Sequence, residues 1–235
     1  MSGVPNGPVL ALDCSTQGGS VAVGVGGAVA AEVRIEAGRG ASSLLMPAVD
    51  EAVRRAGLAP RDLAAIVVGG GPGSFTGLRI AAATAKATVR ALGVPLFAFS
   101  GLAGAAAALR GAGRPVCALF DARNREVFAG CWRFGEGTVE EALTPAALPV
   151  ELALAHVRHE MPLFTGDGAA LHRETIEKVF GAGSVVEPAD RSAAEGLLWL
   201  ARTVPETGRV ASPAAWEPDY LRASGAERIA AARTS

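Results

Sequence analysis

Residues 9–25 read VLALDCSTQGGSVAVGV, an apolar run ending in an acid, a polar turn with two glycines, and a second apolar run. Short apolar runs flanking a glycine turn predict an antiparallel hairpin, here Val9 to Asp13 against Ser20 to Val25. Gly26-Gly27 makes a second turn and Ala28 to Ile35 supplies a third strand, so a three-stranded meander opens the chain. A helix follows, capped by Ser42 or Ser43. Its apolar residues Leu44, Leu45, Val49, Val53 and Ala56 recur at helical spacing and leave Asp50, Glu51, Arg54 and Arg55 for solvent.

Beyond Gly57 the pattern changes from hairpins to crossovers. Ala65 to Val68 predicts a short buried strand, Thr76 to Leu92 a long helix closed by Gly93, Pro95 to Phe99 another strand, and Ser100 the cap of an Ala-rich helix reaching about Leu109. Three strands, helix, strand, helix, strand is the order of a mixed α/β sheet with right-handed crossovers, the ribonuclease-H-like arrangement. This first lobe is placed at residues 1–104. Gly111-Ala112-Gly113-Arg114-Pro115 reads as a linker, and residues 105–235 as a second lobe with an extended, Pro-punctuated tail. The second half opens as the first does: Val116 to Asp121 is an apolar strand ending in Asp, and Glu126 to Phe134 is its partner across a turn. Helices are expected around Glu151 to His159, Leu171 to Phe180 and Ala193 to Arg202, with short strands at Pro162 to Thr165 and Ser184 to Val186. Two such openings suggest a structural duplication.

Composition narrows the function. Half of the residues are hydrophobic and 19% are charged, which predicts a packed globular protein. The formal net charge is -1 and no Lys/Arg run exceeds two residues, so the footprint of a protein that grips a phosphate backbone by itself is missing. The start MSGVPNGPVLALDCS shows no basic segment before an apolar one, and no long apolar run occurs elsewhere; the expectation is a soluble, cytoplasmic chain without a membrane partner. Cys14, Cys117 and Cys131 lie in strand-like runs without CxxC spacing and read as reduced, buried thiols. His156, His159 and His172 do not form a metal-ligand or triad pattern, and are expected in solvent.

Two groups of residues bear on chemistry. Asp13, Ser15 and Thr16, at the end of a first strand, can cradle an anion or hold a metal ion through water, or can simply be an Asx or Ser/Thr turn. Asp121 repeats the arrangement in the second half, and Gly166-Asp167-Gly168 follows a strand where a nucleotide could abut it. The second group is GPGSFTGLR at 71–79, comprising Gly71, Gly73, Ser74, Phe75, Thr76, Gly77 and Arg79, between a strand and a helix. No Lys follows Gly77 and the glycine spacing is GxGxxxG, so neither a P-loop nor a dinucleotide fingerprint is present. Its glycines suit either an anion or a close approach of backbones. The helix after it, with Ile80, Ala81, Ala82, Ala83, Ala85 and Ala87, has a nearly smooth face suited to tight packing against another helix, inside the chain or on another protein.

The stretches LALDCST (10–16), VGGGPGSFTGLR (68–79), Asp121-Ala122-Arg123 and WEPDYLR (216–222) resemble the TsaB family, also called YeaZ, in the same order and over almost the whole chain. The resemblance implies an actin-like (ASKHA) fold of two ribonuclease-H-like lobes, mixed sheets flanked by helices. It implies a non-catalytic subunit of the machinery that forms threonylcarbamoyladenosine in tRNA, a paralogue of the catalytic subunit TsaD, with the ATPase TsaE in the same assembly and tRNA met only through the complex. In such proteins the first two helices pack against the partner subunit or a second copy in a homodimer; mapped here, the face comprises Leu45, Val49, Ile80, Ala83 and Ala87. No cofactor is required by this reading, with weak ATP or ADP binding the most it allows, and Arg79 and Arg123 have no assigned role. Two departures stand out: Cys14 replaces the usual Thr, and Ala41 stands where many relatives have His, one of an HxxxH metal pair in TsaD proteins. The rival from another class is a free-standing actin-fold ATPase or phosphotransferase with Asp13 and Asp121 around magnesium.

Overall fold

The computed structural model describes residues 3–36, 41–187 and 191–221, and for Ala41 and Ser42 the backbone alone. The proposed Ser42 cap and Arg222 of the tail motif lie outside the described residues. The opening meander forms as read: β1 (Val9–Asp13) pairs antiparallel with β2 (Gly19–Val25), which pairs antiparallel with β3 (Ala28–Ile35). After α1 (Ala41–Arg55), β4 (Ala65–Gly69) joins β1 in parallel. After α2 (Phe75–Leu92), β5 (Leu96–Phe99) joins β4 in parallel, so the sheet order is β3-β2-β1-β4-β5. Local signals set the ends of α2: the Ser74 hydroxyl accepts the Gly77 N–H, and Gly93 closes the helix in the left-handed conformation at φ 70°.

A second sheet repeats the plan. β6 (Val116–Asp121) and β7 (Glu126–Phe134) form the hairpin, β8 (Val139–Pro149) continues it on one side, and β9 (Leu163–Thr165) pairs parallel with β6 on the other. The Ser184 to Val186 strand shrinks to a single parallel bridge between Phe164 and Val185. β8 went unread because VEEALTPAALP neither alternates nor avoids proline; as an edge strand it tolerates Pro145, whose missing N–H interrupts no inner ladder. The remaining helices are α3 (Gly101–Ala107), α4 (Val150–His156), α5 (Asp167–Leu171), α6 (Arg173–Phe180), α7 (Ala193–Thr203) and the single turn α8 (Pro205–Gly208). The expected helix at 171–180 starts a turn earlier and breaks at His172.

Alternation along β1 builds two cores at once. Leu10 and Leu12 pack with α1 and α2 on one face, while Val9 and Ala11 pack on the other with α3, α7 and the inner face of the second sheet, including Val116, Ala118 and Phe120. Cys117, Leu119, Val127 and Ala129 turn the opposite way, toward α4 and α6. The result is the actin-like sandwich, with α3 and α7 as its central layer. These two helices cross at glycines: a methyl at Gly196 would collide with the Gly104 carbonyl.

The division at 104/105 is corrected by this packing. α7 lies against β1, β2 and β4 of the first sheet, and the tail follows it there, with Val210 N–H bonded to Leu96 O at 3.0 Å and Phe97 bridged to Arg209. Residues 193–221 thus return to the first lobe, because the apolar face of β1, β2 and β4 needs a cover that the first 104 residues do not provide. Among the described residues no helix is long and apolar enough to cross a membrane.

Candidate functional site

The glycine loop between β4 and α2 is held by the chain's own carbonyls. Ser74 N–H bonds to Ser15 O at 2.7 Å, Gly70 N–H to Phe99 O at 2.7 Å, and the Gly71 carbonyl accepts from Gly101 N–H at 3.0 Å. From the tail, Asp219 N–H reaches the Gly70 carbonyl at 2.7 Å. Gly77 has no room for a side chain because its Cα faces the Cys14 carbonyl. Of the two readings of this loop, close backbone approach is the one realised. The tail also straps the start of α2: Tyr220 packs on Phe75 at 5.0 Å, the Arg79 guanidinium lies 3.9 Å over the other part of that stack, and Glu217 pairs with Lys86 at 2.8 Å. Thr76 and Arg79 are exposed on the first turns of α2.

The predicted partner face separates into two sets. On α2, Ala83 and Ala87 are exposed and Ile80 is half-buried. On α1, Leu45 and Val49 are 1% and 7% exposed and belong to the core beneath the helix. Their assignment to a partner surface is corrected: an apolar stripe on a surface helix turns first toward its own sheet. What α1 does expose is Met46 at 54%, with Pro47 and Asp50 beside it.

The phosphate-binding set is only partly brought together. A cleft of about 560 Å³ between the lobes is lined by Asp13, Thr16, Phe120, Gly166, Asp167 and Arg191, among others. Ser15 is buried beneath Gly73 and Gly101, Gly168 packs on the backbone of Phe120 and Asp121, and neither lines the cleft. Asp121 also points elsewhere: its carboxylate accepts the Arg123 N–H at 2.7 Å. Arg123 is exposed at the hairpin tip, where Arg123, Asn124 and Arg125 all take positive φ, 66°, 54° and 62°.

Two internal contacts decide how far this cleft suits a magnesium nucleotide. The Asp13 carboxylate is buried, accepts both Ser15 O–H at 2.6 Å and Ser15 N–H at 3.1 Å, and is covered by the backbones of Gly69 and Gly101. Burial outweighs those bonds and raises its pKa. Across the cleft, Asp167 Oδ1 accepts Asp121 N–H at 3.1 Å and Gly168 N–H at 2.9 Å, donors that a phosphate would need. The residues present fit the group poorly: the first acid borders the cleft but is buried and bonded to Ser15, and the second lobe's donors serve a carboxylate of the chain itself. Asp167, in the middle of the Gly166-Asp167-Gly168 stretch read as a nucleotide contact, instead spends its carboxylate on the chain's own N–H groups. Cys14, beside Asp13, is buried, and burial and then the Asp13 charge push its thiol up to about 12.

Burial, and to a lesser degree the nearby Asp121, raise the Asp167 pKa against the pull of its backbone bonds. A carboxyl held above its unfolded value stabilises the fold fully below that value, and the contribution is lost as pH rises through the folded pKa. Asp167→Asn retains an acceptor for both N–H groups and removes the titration. Its urea midpoint should therefore gain on wild type between pH 4 and pH 7; an equal offset at both would show that the charge is not felt.

A second cavity, about 540 Å³, opens at the far edge of the first sheet among Asn6, Val25, Val29 and Trp199. Its buried acid, Glu195, is satisfied by a two-pronged pair with Arg110 at 2.8 and 3.0 Å.

Residues 27–228 match the family model described as TsaD, tRNA N6-adenosine threonylcarbamoyltransferase. The chain is 31% identical over 93% of its length, and 96% of the relative's, to the tRNA threonylcarbamoyladenosine biosynthesis protein TsaB of Bacillus subtilis. It is 30% identical over 91% of its length, and 94% of the relative's, to the protein of the same description from Escherichia coli K12. Among solved structures, YeaZ from Pseudomonas aeruginosa superposes with a TM-score of 0.76 at 30% identity, covering 92% of this chain and all of that one.

Proposed function

Because this chain belongs to the TsaB (YeaZ) family, we propose that it is the non-catalytic subunit of the assembly that forms threonylcarbamoyladenosine in tRNA. In this reading it holds a TsaD-type catalytic subunit and a TsaE-type ATPase in a productive arrangement. The observation that carries it is the exposed small-residue stripe of α2, Ala83 and Ala87 with Ile80 at its edge, together with the exposed Met46 on α1, the helix that packs against α2. Small residues let a facing helix come close, and one large apolar side chain beside them supplies an anchor. The same face serves a second copy of the chain when the partner is absent.

The state of the cleft agrees with a supporting role. In this reading the chain requires no cofactor and binds ATP or ADP weakly at most, which the burial of Asp13 and the internal engagement of the Asp121 and Gly168 N–H groups support. A net charge of -1 leaves tRNA contact to the other subunits.

The experiment is threonylcarbamoyl transfer to tRNA by the TsaD-type and TsaE-type proteins of the same organism, with and without this chain. Transfer should depend on it, while the isolated chain turns over no ATP and Asp13→Ala leaves its ATP affinity unchanged. Transfer indifferent to the chain, or ATP turnover abolished by Asp13→Ala, would replace this reading with that of a free-standing phosphotransferase.

A further inference from the structure

Two of the three cysteines stand opposite one another. Cys117 on β6 and Cys131 on β7 are direct cross-strand partners, and both are free thiols. They share a face with Leu119, Val127 and Ala129, and are 1% and 0% exposed.

The register fixes the kind of pair they form. The hairpin closes with Ala122 N–H bonded to Glu126 O at 3.0 Å, which makes 122 and 126 a hydrogen-bonded pair. Pairs alternate along an antiparallel ladder, so Asp121 with Val127, Leu119 with Ala129 and Cys117 with Cys131 are the non-hydrogen-bonded ones. At such pairs the Cα atoms approach to about 4.5 Å and the side chains lie closest, within the span of about 4.4–6.8 Å that a disulfide bridges. A second observation concerns access. The pairing of β7 with β8 slips on both sides of Cys131, between Ala129 and Cys131 and again between Cys131 and Trp132, and β8 is an edge strand. The two thiols face α4 and α6, and the sheet that carries them is irregular at Cys131, beside its edge strand.

We infer that Cys117 and Cys131 are an oxidation site, a dithiol that closes to a reversible cross-strand disulfide with oxidants of the hydroperoxide class. One thiol loses its proton and attacks a peroxide oxygen; the O–O bond breaks, and the departing hydroxide leaves as water with that proton, giving a sulfenic acid. The second sulfur attacks the sulfenic sulfur; the S–S bond forms, the S–O bond breaks, and the hydroxyl leaves as a second water with the second thiol proton. Two thiols are oxidised by two electrons as one hydrogen peroxide becomes two waters, and a small dithiol reverses the change. Burial and the neighbouring thiol raise Cys117 well above its ordinary pKa, so the reaction waits on local opening of the α4 and α6 cover over the pair.

The test uses the native full chain with hydrogen peroxide, then denaturation, alkylation with N-ethylmaleimide, intact mass and a non-reducing peptide map. The expected product is lighter by two hydrogens before alkylation, takes a single alkyl group, at Cys14, and links the 117 and 131 peptides until dithiothreitol restores three alkylations. Its formation rate should level off as peroxide rises, and its melting point should exceed the reduced chain's by at least about 5 °C. Cys117→Ser and Cys131→Ser should each keep two alkylatable thiols. Three alkylations after excess peroxide, oxygen added to a lone cysteine without loss of two hydrogens, or closure only in denaturant would each overturn the inference.

Discussion

Gly77→Ala should destabilise the chain by about 3 kcal/mol or more, although alanine is the better helix former by about 1 kcal/mol. The new methyl would overlap the Cys14 carbonyl oxygen and press on its carbon at 3.2 Å. Neither backbone has freedom to retreat. Cys14 continues directly from β1, which is bonded on both sides, and Ser15 is tied to Asp13 below and to Ser74 above. Against a total stability of roughly 5–15 kcal/mol, such a loss leaves little soluble protein at growth temperature. Gly111→Ala is the control: nothing lies within 4 Å of its added methyl, and its urea midpoint should match wild type. A Gly77→Ala protein that unfolds at the wild-type midpoint would mean that the loop and the first hairpin are not in backbone contact.

Ala83→Arg should weaken association with the TsaD-type partner by more than about 100-fold, enough to abolish co-purification, while the melting point stays within about 2 °C. Arginine is a good helix residue and position 83 is exposed, so the fold has no reason to object. A facing helix packed close to the α2 stripe would have to bury a charged side chain without a partner. Ala81→Arg supplies the contrast, since Ala81 is fully buried and the same change there should unfold the chain before binding can be measured. Undiminished capture by Ala83→Arg would remove the α2 face from the proposed interface.

The first lobe was legible because its signals are local. Apolar runs, glycine turns and the Ser cap at Ser100 each lie within a few residues of what they determine. What escaped was set at long range. Nothing in Ala193 to Thr203 says that it covers β1, β2 and β4 rather than the second sheet, since an apolar helix face fits either. The misreading of Leu45 and Val49 has the same root: periodicity finds the apolar side of α1 but not whether the chain or a partner claims it. Asp121 and Asp13 look equivalent in sequence, and differ because Asp13 is roofed by Gly69 and Gly101 while Asp121 bends back to its own turn. Asp167 sat in a stretch read as a nucleotide contact, and that its carboxylate takes the N–H groups of Asp121 and Gly168 instead depends on a contact 46 residues away.

The return of α7 to the first sheet also has a meaning in time. A ribosome delivers β1 through α3 by residue 107, yet the inner face carrying Val9, Ala11, Ala22, Val67 and Phe97 receives α7, the second of its two helices, only when residue 203 has emerged. At about 5–20 residues per second that interval is on the order of 5 to 20 s. During synthesis the nascent first half therefore presents an apolar sheet covered on this face by α3 alone until α7 arrives.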